Sequence, residues 1–503
     1  MDSDYYDDMD MEYPDESMNG MSHEEFMEML ENYDGELTPE LQNLMNSYSG
    51  SRSNFPPVDY IRPPLSELAE NCIIPTCLQV GQMLVSLFIM CFVFQLLCQL
   101  GRIGIKDVGV PQWVIHASSA AFGIIALHSF FNLTLLYVVA CCVLSYILFQ
   151  FMCSWKREWC GLAGASLVVL FSVLCELFIV EPATWHRIRG AQIILSMKVI
   201  SLAVDVGKGS VQELPSMLEY MGYCFNVGTV IFGPWISYSQ YCKLLDKQPS
   251  PISFLVVLKV FTTTACAFVC FVHSNCLTNW LILDNVWRWF RAYRDAQSFR
   301  FSHYFISFLS DATATLSGIT PVEGSSFQWS VVRPQHIELP RSLVEVVTNW
   351  NLPMHYWLKT YVFKSVRPYG TFLAVILTYA ASSLLHGLNF QLAAVLFSLG
   401  FYSYTEFVFR QRLSQVFDAC IQAKKCKEKC DHKYTSRHPL VILTNLCFGA
   451  LTMFHLAYLG LMFDSSDGEE KGYTMWHTLD KWSGLDFVSH WVALGTFILY
   501  VLI

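Results

Sequence analysis

Apolar stretches close to twenty residues long recur along this chain, at 78–99, 112–131, 133–153, 160–180, 252–273, 371–389, 391–409, 440–463 and 485–503. An α-helix needs about 20 residues, at about 1.5 Å each, to cross a bilayer. No other feature limits the fold as tightly. Inside hydrocarbon every backbone N–H and C=O must be paired within the protein, and apolar runs of this length solve that as helices. An all-α polytopic membrane protein is expected. Only 15% of the 503 residues are charged, against about 25% in soluble proteins. With no strongly basic domain, that composition excludes a soluble globule and a nucleic-acid binder of the usual kind.

Shorter or more polar segments lie between the spans, at 186–206, 219–236, 300–318 and 354–366. Gly228, Gly233 and Pro234 make 222–235 a poor continuous span. Irregular backbone at membrane depth is tolerated only where protein or a water-filled cavity covers it. Broken or re-entrant helices around an interior chamber are therefore expected, with nine to eleven membrane segments in all. No internal repeat is evident, which counts against a secondary transporter.

The formal charge of −10 divides unevenly. Residues 1–40 carry fifteen acids and no Lys or Arg, and the remainder holds 27 acids against 32 bases. We expect residues 1–65 to form an acidic, largely disordered tail with short amphipathic helices, one opening on a Ser22/Glu25 capping box. The N-terminus lacks a basic stretch followed by an apolar core, so a cleavable signal peptide is not expected. Residues 66–503 are expected to be the membrane domain.

Eighteen cysteines are mostly strewn through apolar spans. There Cys91, Cys98, Cys141, Cys142, Cys175, Cys266 and Cys270 read as small hydrophobes. In a Lys-rich loop, Cys420, Cys426, Cys430 and His432 are spaced C-x5-C-x3-C-x-H. That spacing fits none of the common zinc patterns, and zinc, a disulfide and lipidated thiols all stay open. Asn132-Leu133-Thr134 is a glycosylation sequon, expected to be unused between two apolar runs.

Ionisable and polar residues inside spans are costly and by default mark function. Within 371–389, Tyr379, Ser382, Ser383 and His386 fall on one helical face. A neutral imidazole there suits proton abstraction near neutral pH, and a structural histidine is the alternative. Upstream, Asn349, Trp350, Asn351, Pro353, His355, Tyr356 and Trp357 crowd into nine residues. Pro353 disfavours helix at Leu352. Asn351 therefore sits at a break, free to donate to a carbonyl oxygen or to cap the next helix. At 286–303, Arg288, Arg291 and Arg294 share a face among aromatic residues. That reads as a helix in the membrane interface, facing lipid head groups or a phosphorylated ligand. From these residues alone, transferase and transporter both stay open.

Trp350-Asn351, followed by an intramembrane His386, resembles the membrane-bound O-acyltransferase (MBOAT) family. The blocks 184–198, 221–238, 302–318, 338–358, 378–396 and 454–460 resemble the branch of that family whose members acylate Wnt proteins. The likeness covers about residues 66–503, outside the tail and the stretches 240–285 and 464–472. It implies an MBOAT-type helical core and transfer of a palmitoleoyl group from palmitoleoyl-coenzyme A to a serine of Wnt, in the endoplasmic reticulum membrane. His386 would be the general base, and Asn351 would orient the acyl carbonyl or stabilise its developing charge. Trp350, Tyr379, Ser382, Ser383 and Arg341 are the candidates for substrate contact. Arg288, Arg291, Arg294 and Arg333 are those for the donor's phosphates. Neither a tightly bound cofactor nor a metal-binding site residue is expected, and membrane lipids are the remaining partners. A family member acting on a lipid acceptor is the second enzyme reading, and a polytopic channel or scaffold the non-enzyme one.

Overall fold

Two helices joined by a sharp turn at Gly387–Asn389, and a third broken at Asn351, organise the part of the molecule that matters here. The computed structural model describes residues 62–102, 110–244, 253–319, 330–426, 430–463 and 475–503. The acidic stretch 1–61, with its expected capping box, lies outside them. Among the described residues there is no strand, only an isolated bridge between Ala419 and Tyr434. Seven helical stretches are long and apolar enough to cross a membrane, or eight if a bent pair at the C-terminus is one span. That agrees with the expected all-α polytopic fold.

The first helices are α1 (Ile74–Arg102), α2 (Gln112–Phe131), α3 (Leu135–Trp155) and α4 (Cys160–Leu174). Asn132, with φ of 51°, breaks the chain between α2 and α3. Large apolar side chains such as Ile125, Ile147, Phe151 and Leu162 stand exposed on these helices. In water such a surface would drive aggregation, whereas in a bilayer it meets its own solvent. Cys91, Cys98, Cys141, Cys142 and Cys175 are buried as expected, but Cys266 is exposed. A disulfide also joins Cys72 to Cys276, 204 residues apart, which no local spacing announces.

Helix α5 (Pro182–Gly207) corrects the reading of 186–206 as a partial span. It is a full-length candidate crossing, and the most buried of them. Its polar residues lowered the hydropathy because they face inward. Lys198 Nζ donates to the carbonyls of Tyr223 at 3.0 Å and Cys224 at 3.1 Å, and to Thr229 Oγ1 at 2.8 Å. Those acceptors sit at the end of α6 (Met217–Cys224) and just past it, where the chain leaves helix but stays buried through most of 225–236. The broken segment at 219–236 is thus present and covered by protein. Ser119 donates to Gly222 O at 2.8 Å, Thr313 to Gly228 O at 3.0 Å and Tyr223 to Ile236 O at 2.8 Å. A Cβ on Gly228 would come within 1.9 Å of Ser317 Oγ, so only glycine fits there.

Helix α7 (Phe254–Val272) packs along α8 (Arg288–Leu316). The Arg-bearing stretch 286–303 is not a separate interfacial helix. It forms the opening turns of α8, continuous with the segment 300–318. Ala292, Ala296 and Arg300 are buried on one side of it, because Arg300 finds both oxygens of Glu338 at 2.8 and 3.0 Å. Next come α9 (Leu343–Trp350) and α10 (Leu352–Trp357), then α11 (Thr371–Leu385) and α12 (Phe390–Phe417). Helix α11 has only 15 residues, shorter than the expected span at 371–389, because the chain turns at Gly387 with φ of 95°. Helix α13 (Pro439–Gly460) packs on α8, and α14 (Met475–Ser483) and α15 (Val488–Leu502) meet at 75°.

Candidate active site

The site is built where α9 breaks into α10. Residues 331–333 lie alongside: Leu352 N donates to Val331 O at 2.8 Å, and Arg333 N donates to Asn349 O at 3.1 Å. Asn351 has φ of −147° and ψ of 96°, ending α9 and capping α10. The break falls at Asn351 itself, and α10 starts at Leu352 with Pro353 in its first turn, where a missing N–H costs nothing. Asn351 Oδ1 accepts from Met354 N at 3.0 Å, so the capping role weighed from sequence is real. That bond uses the oxygen and turns the amide so that Nδ2 is the group left to donate. Among the described residues Nδ2 has no hydrogen bond.

Asn351 and Pro353 line a cavity together with His303, Ser307, Ser310 and Trp235. His303, on α8, was not singled out by sequence. Its Nε2–H donates to Trp350 O at 2.8 Å, with Ser307 Oγ at 3.3 Å. Its ring stacks on Trp350, centroids 4.5 Å apart and planes 12° from parallel. Trp350 is thereby fixed by backbone and ring together, and Phe299 stacks near it at 6.1 Å.

His386 is the C-cap of α11, with its N–H on Ser382 O at 3.2 Å. It lies within electrostatic reach of His303 and Arg189. Its imidazole makes no hydrogen bond among the described residues, and none joins it to Asn351. The turn that follows it is held from outside its own helix. Glu176 Oε2 accepts from Leu388 N at 3.0 Å, and Glu176 Oε1 pairs with Arg189 at 2.7 Å. A Cβ on Gly387 would come within 2.6 Å of Glu176 Oε2.

An imidazole with no hydrogen bond among the described residues, within electrostatic reach of a histidine that shares a cavity with an amide donor, suits proton transfer during attack on a carbonyl. Comparison with known proteins narrows which. The membrane-bound O-acyltransferase family model matches residues 124–427, a stretch that holds His303, Asn351 and His386. The chain belongs to the MBOAT family. Over 465 residues it is 43% identical to the protein-serine O-palmitoleoyltransferase porcupine of Mus musculus, covering 87% of this chain and 97% of the mouse protein. It is 42% identical over 462 residues to the protein of the same name from Homo sapiens. Lysophospholipid acyltransferase 2 of Arabidopsis thaliana is 24% identical over 282 residues, which is 46% of this chain and 60% of the plant protein.

The other candidate residues of this MBOAT chain divide by what already occupies them. Tyr379 reaches Ser403 Oγ at 3.4 Å and packs against Gly400, and Ser382 and Ser383 are buried. Arg341 spends its guanidinium on the carbonyls of Cys420 at 2.7 Å and Gln422 at 3.0 Å. Arg288 pairs with Asp486 at 2.9 Å, and Arg294 with Asp284 at 2.6 Å and Asp295 at 2.9 Å. The guanidinium groups of Arg291 and Arg333 make no hydrogen bond among the described residues. His303, Glu176 and Arg189 had no signal in the sequence beyond being polar in apolar surroundings.

Proposed function

We propose that this MBOAT enzyme transfers a palmitoleoyl group from palmitoleoyl-coenzyme A to a serine hydroxyl of Wnt proteins, in the endoplasmic reticulum membrane. What carries the reading is the 43% identity to a protein-serine O-palmitoleoyltransferase across 97% of that protein's length. His386 takes the proton from the serine as its oxygen attacks the thioester carbonyl. Asn351 Nδ2 donates to the carbonyl oxygen while charge builds there. The C–S bond then breaks, and the coenzyme A thiolate leaves and takes up the proton. The thioester is already activated, so no acyl-enzyme is required, and holding donor and acceptor together supplies the rest. Arg291 and Arg333, whose guanidinium groups make no hydrogen bond among the described residues, take the donor's phosphates. Trp350, Tyr379, Ser382 and Ser383 line the approach for acyl chain or peptide.

The test is transfer of labelled palmitoleoyl from coenzyme A to a Wnt peptide bearing the acceptor serine, using purified protein. Label on that serine is the expected result. Label on a lysophospholipid and none on the peptide would overturn the acceptor assignment. No transfer to either would overturn the activity.

A further inference from the structure

The loop between α12 and α13 gathers Cys420, Cys426, Cys430 and His432 so that their ligand atoms all lie within 4.8 Å of one another. We infer that these four residues bind a structural zinc ion, coordinated by three thiolates and His432 Nδ1.

Geometry supports the set. With Zn–S near 2.3 Å and Zn–N near 2.0 Å, the edges of a zinc tetrahedron are about 3.8 Å between sulfurs and about 3.5 Å from sulfur to nitrogen. His432 Nδ1 lies 3.6 Å from Cys420 Sγ and 3.8 Å from Cys426 Sγ. Cys420 Sγ and Cys430 Sγ are 3.1 Å apart, closer than that edge yet well beyond the roughly 2.05 Å of a disulfide. The remaining pairs of ligand atoms lie within 4.8 Å of one another, so modest side-chain shifts suffice to reach a tetrahedron.

The histidine is also held in the state a metal needs. Ser414 Oγ donates its proton to Ala419 O at 2.6 Å, so towards His432 it acts as an acceptor. His432 Nε2, 3.2 Å away, must then carry the ring's proton. That leaves the Nδ1 lone pair facing the sulfurs, which is the outer-shell arrangement typical of metal-bound histidine. Backbone bonds from Cys420 N to Tyr434 O at 2.9 Å, and from Tyr434 N to Asp418 O at 3.0 Å, close the loop without the metal. Ala419, Ile421 and Val441 pack beneath it. Three thiolates on a divalent ion leave a net charge of −1, which the neighbouring Lys424, Lys425 and Lys433 suit.

Four protein ligands leave no open position, so the role is structural rather than catalytic. The clipped segment is the one that anchors the start of α9. Arg341 donates to Cys420 O and Gln422 O, Ser342 Oγ to Ala423 O at 2.9 Å, and Arg410 Nε to Ile421 O at 2.8 Å. Helix α9 begins there and ends on Asn351. The inference does not depend on which acceptor the enzyme acylates.

Elemental analysis of the full-length, detergent-purified protein decides it. The expected value is about one zinc per chain, falling at least tenfold in a Cys426→Ser/Cys430→Ser double variant and unchanged in Cys447→Ser, whose exposed thiol lies elsewhere. Cobalt in place of zinc should give a thiolate charge-transfer band. Should the double variant fail to fold, the wild-type stoichiometry decides alone. Wild-type protein with less than about a tenth of a zinc per chain would overturn the inference. So would peptide mapping that finds Cys420 and Cys430 as a disulfide, or any of the three thiols acylated.

Discussion

Glu176 Oε2 stands 3.0 Å from the backbone nitrogen of Leu388, two residues past His386. Its second oxygen is held by Arg189. The turn that follows the imidazole at the end of α11 is therefore held by a carboxylate just past α4 and, through it, by a guanidinium on α5, both about 200 residues earlier in the chain.

That relationship makes Glu176 a positioning residue. Glu176→Ala frees the turn, and Glu176→Gln keeps an acceptor for Leu388 N while losing the charge pair. In a kinetic assay kcat should fall about 10- to 100-fold for alanine, since small misplacements of a reacting group cost that much. The fall should be smaller for glutamine, with the donor KM little changed in either. Equal losses in both variants would argue against the graded role.

His386→Ala should lower acyl transfer by a factor of about 10² to 10⁴, the usual worth of a positioned base. The expression level, melting temperature and donor binding of the variant should match wild type, because the ring makes no hydrogen bond among the described residues. Thermal shift with and without a non-hydrolysable donor analogue separates these outcomes.

Asn351 can be split into its two jobs. Asp caps a helix as well as Asn, so Asn351→Asp keeps the bond to Met354 N but removes the Nδ2 donor. Its melting temperature should hold while kcat drops about 10²- to 10³-fold, the cost of one lost donor to a developing oxyanion. Asn351→Ala should lose the cap too, at about 1 kcal/mol of stability.

Lys198→Met should destabilise the fold without touching the reacting groups. It leaves the Tyr223 and Cys224 carbonyls and Thr229 short of a donor in a buried place, at about 1–3 kcal/mol for each group left unsatisfied. A melting temperature lowered by several degrees, with normal kcat in the folded fraction, is the expected result.

How far the sequence alone reached follows from where its signals were local. Pro353 announces the break beside it, and it appears within one residue of where the proline places it. The exposed apolar faces of α1 to α4 follow directly from uninterrupted hydrophobic runs. Helix α5 was underrated because hydropathy averages over a turn and cannot tell polar groups facing a partner from polar groups facing water. His303 lies 83 positions before His386, and their proximity is a product of the packing of α8 against the break, with no periodicity to betray it. The Cys420–His432 cluster escaped the familiar zinc spacings because its closure depends on Ser414 and on the Ala419–Tyr434 bridge. Arg341 read as a ligand contact and proved to be tied to backbone carbonyls, a role that any charged residue near a helix start can take.

The bridge between Cys72 and Cys276 acts as a compass for the whole chain. Disulfides belong to oxidising compartments, so the two ends it ties, the entrance of α1 and the exit of α7, share the lumenal or external side. The far end of α1 and the beginning of α7 then open on the opposite side. That one covalent mark gives α1 and α7 opposite directions across the membrane.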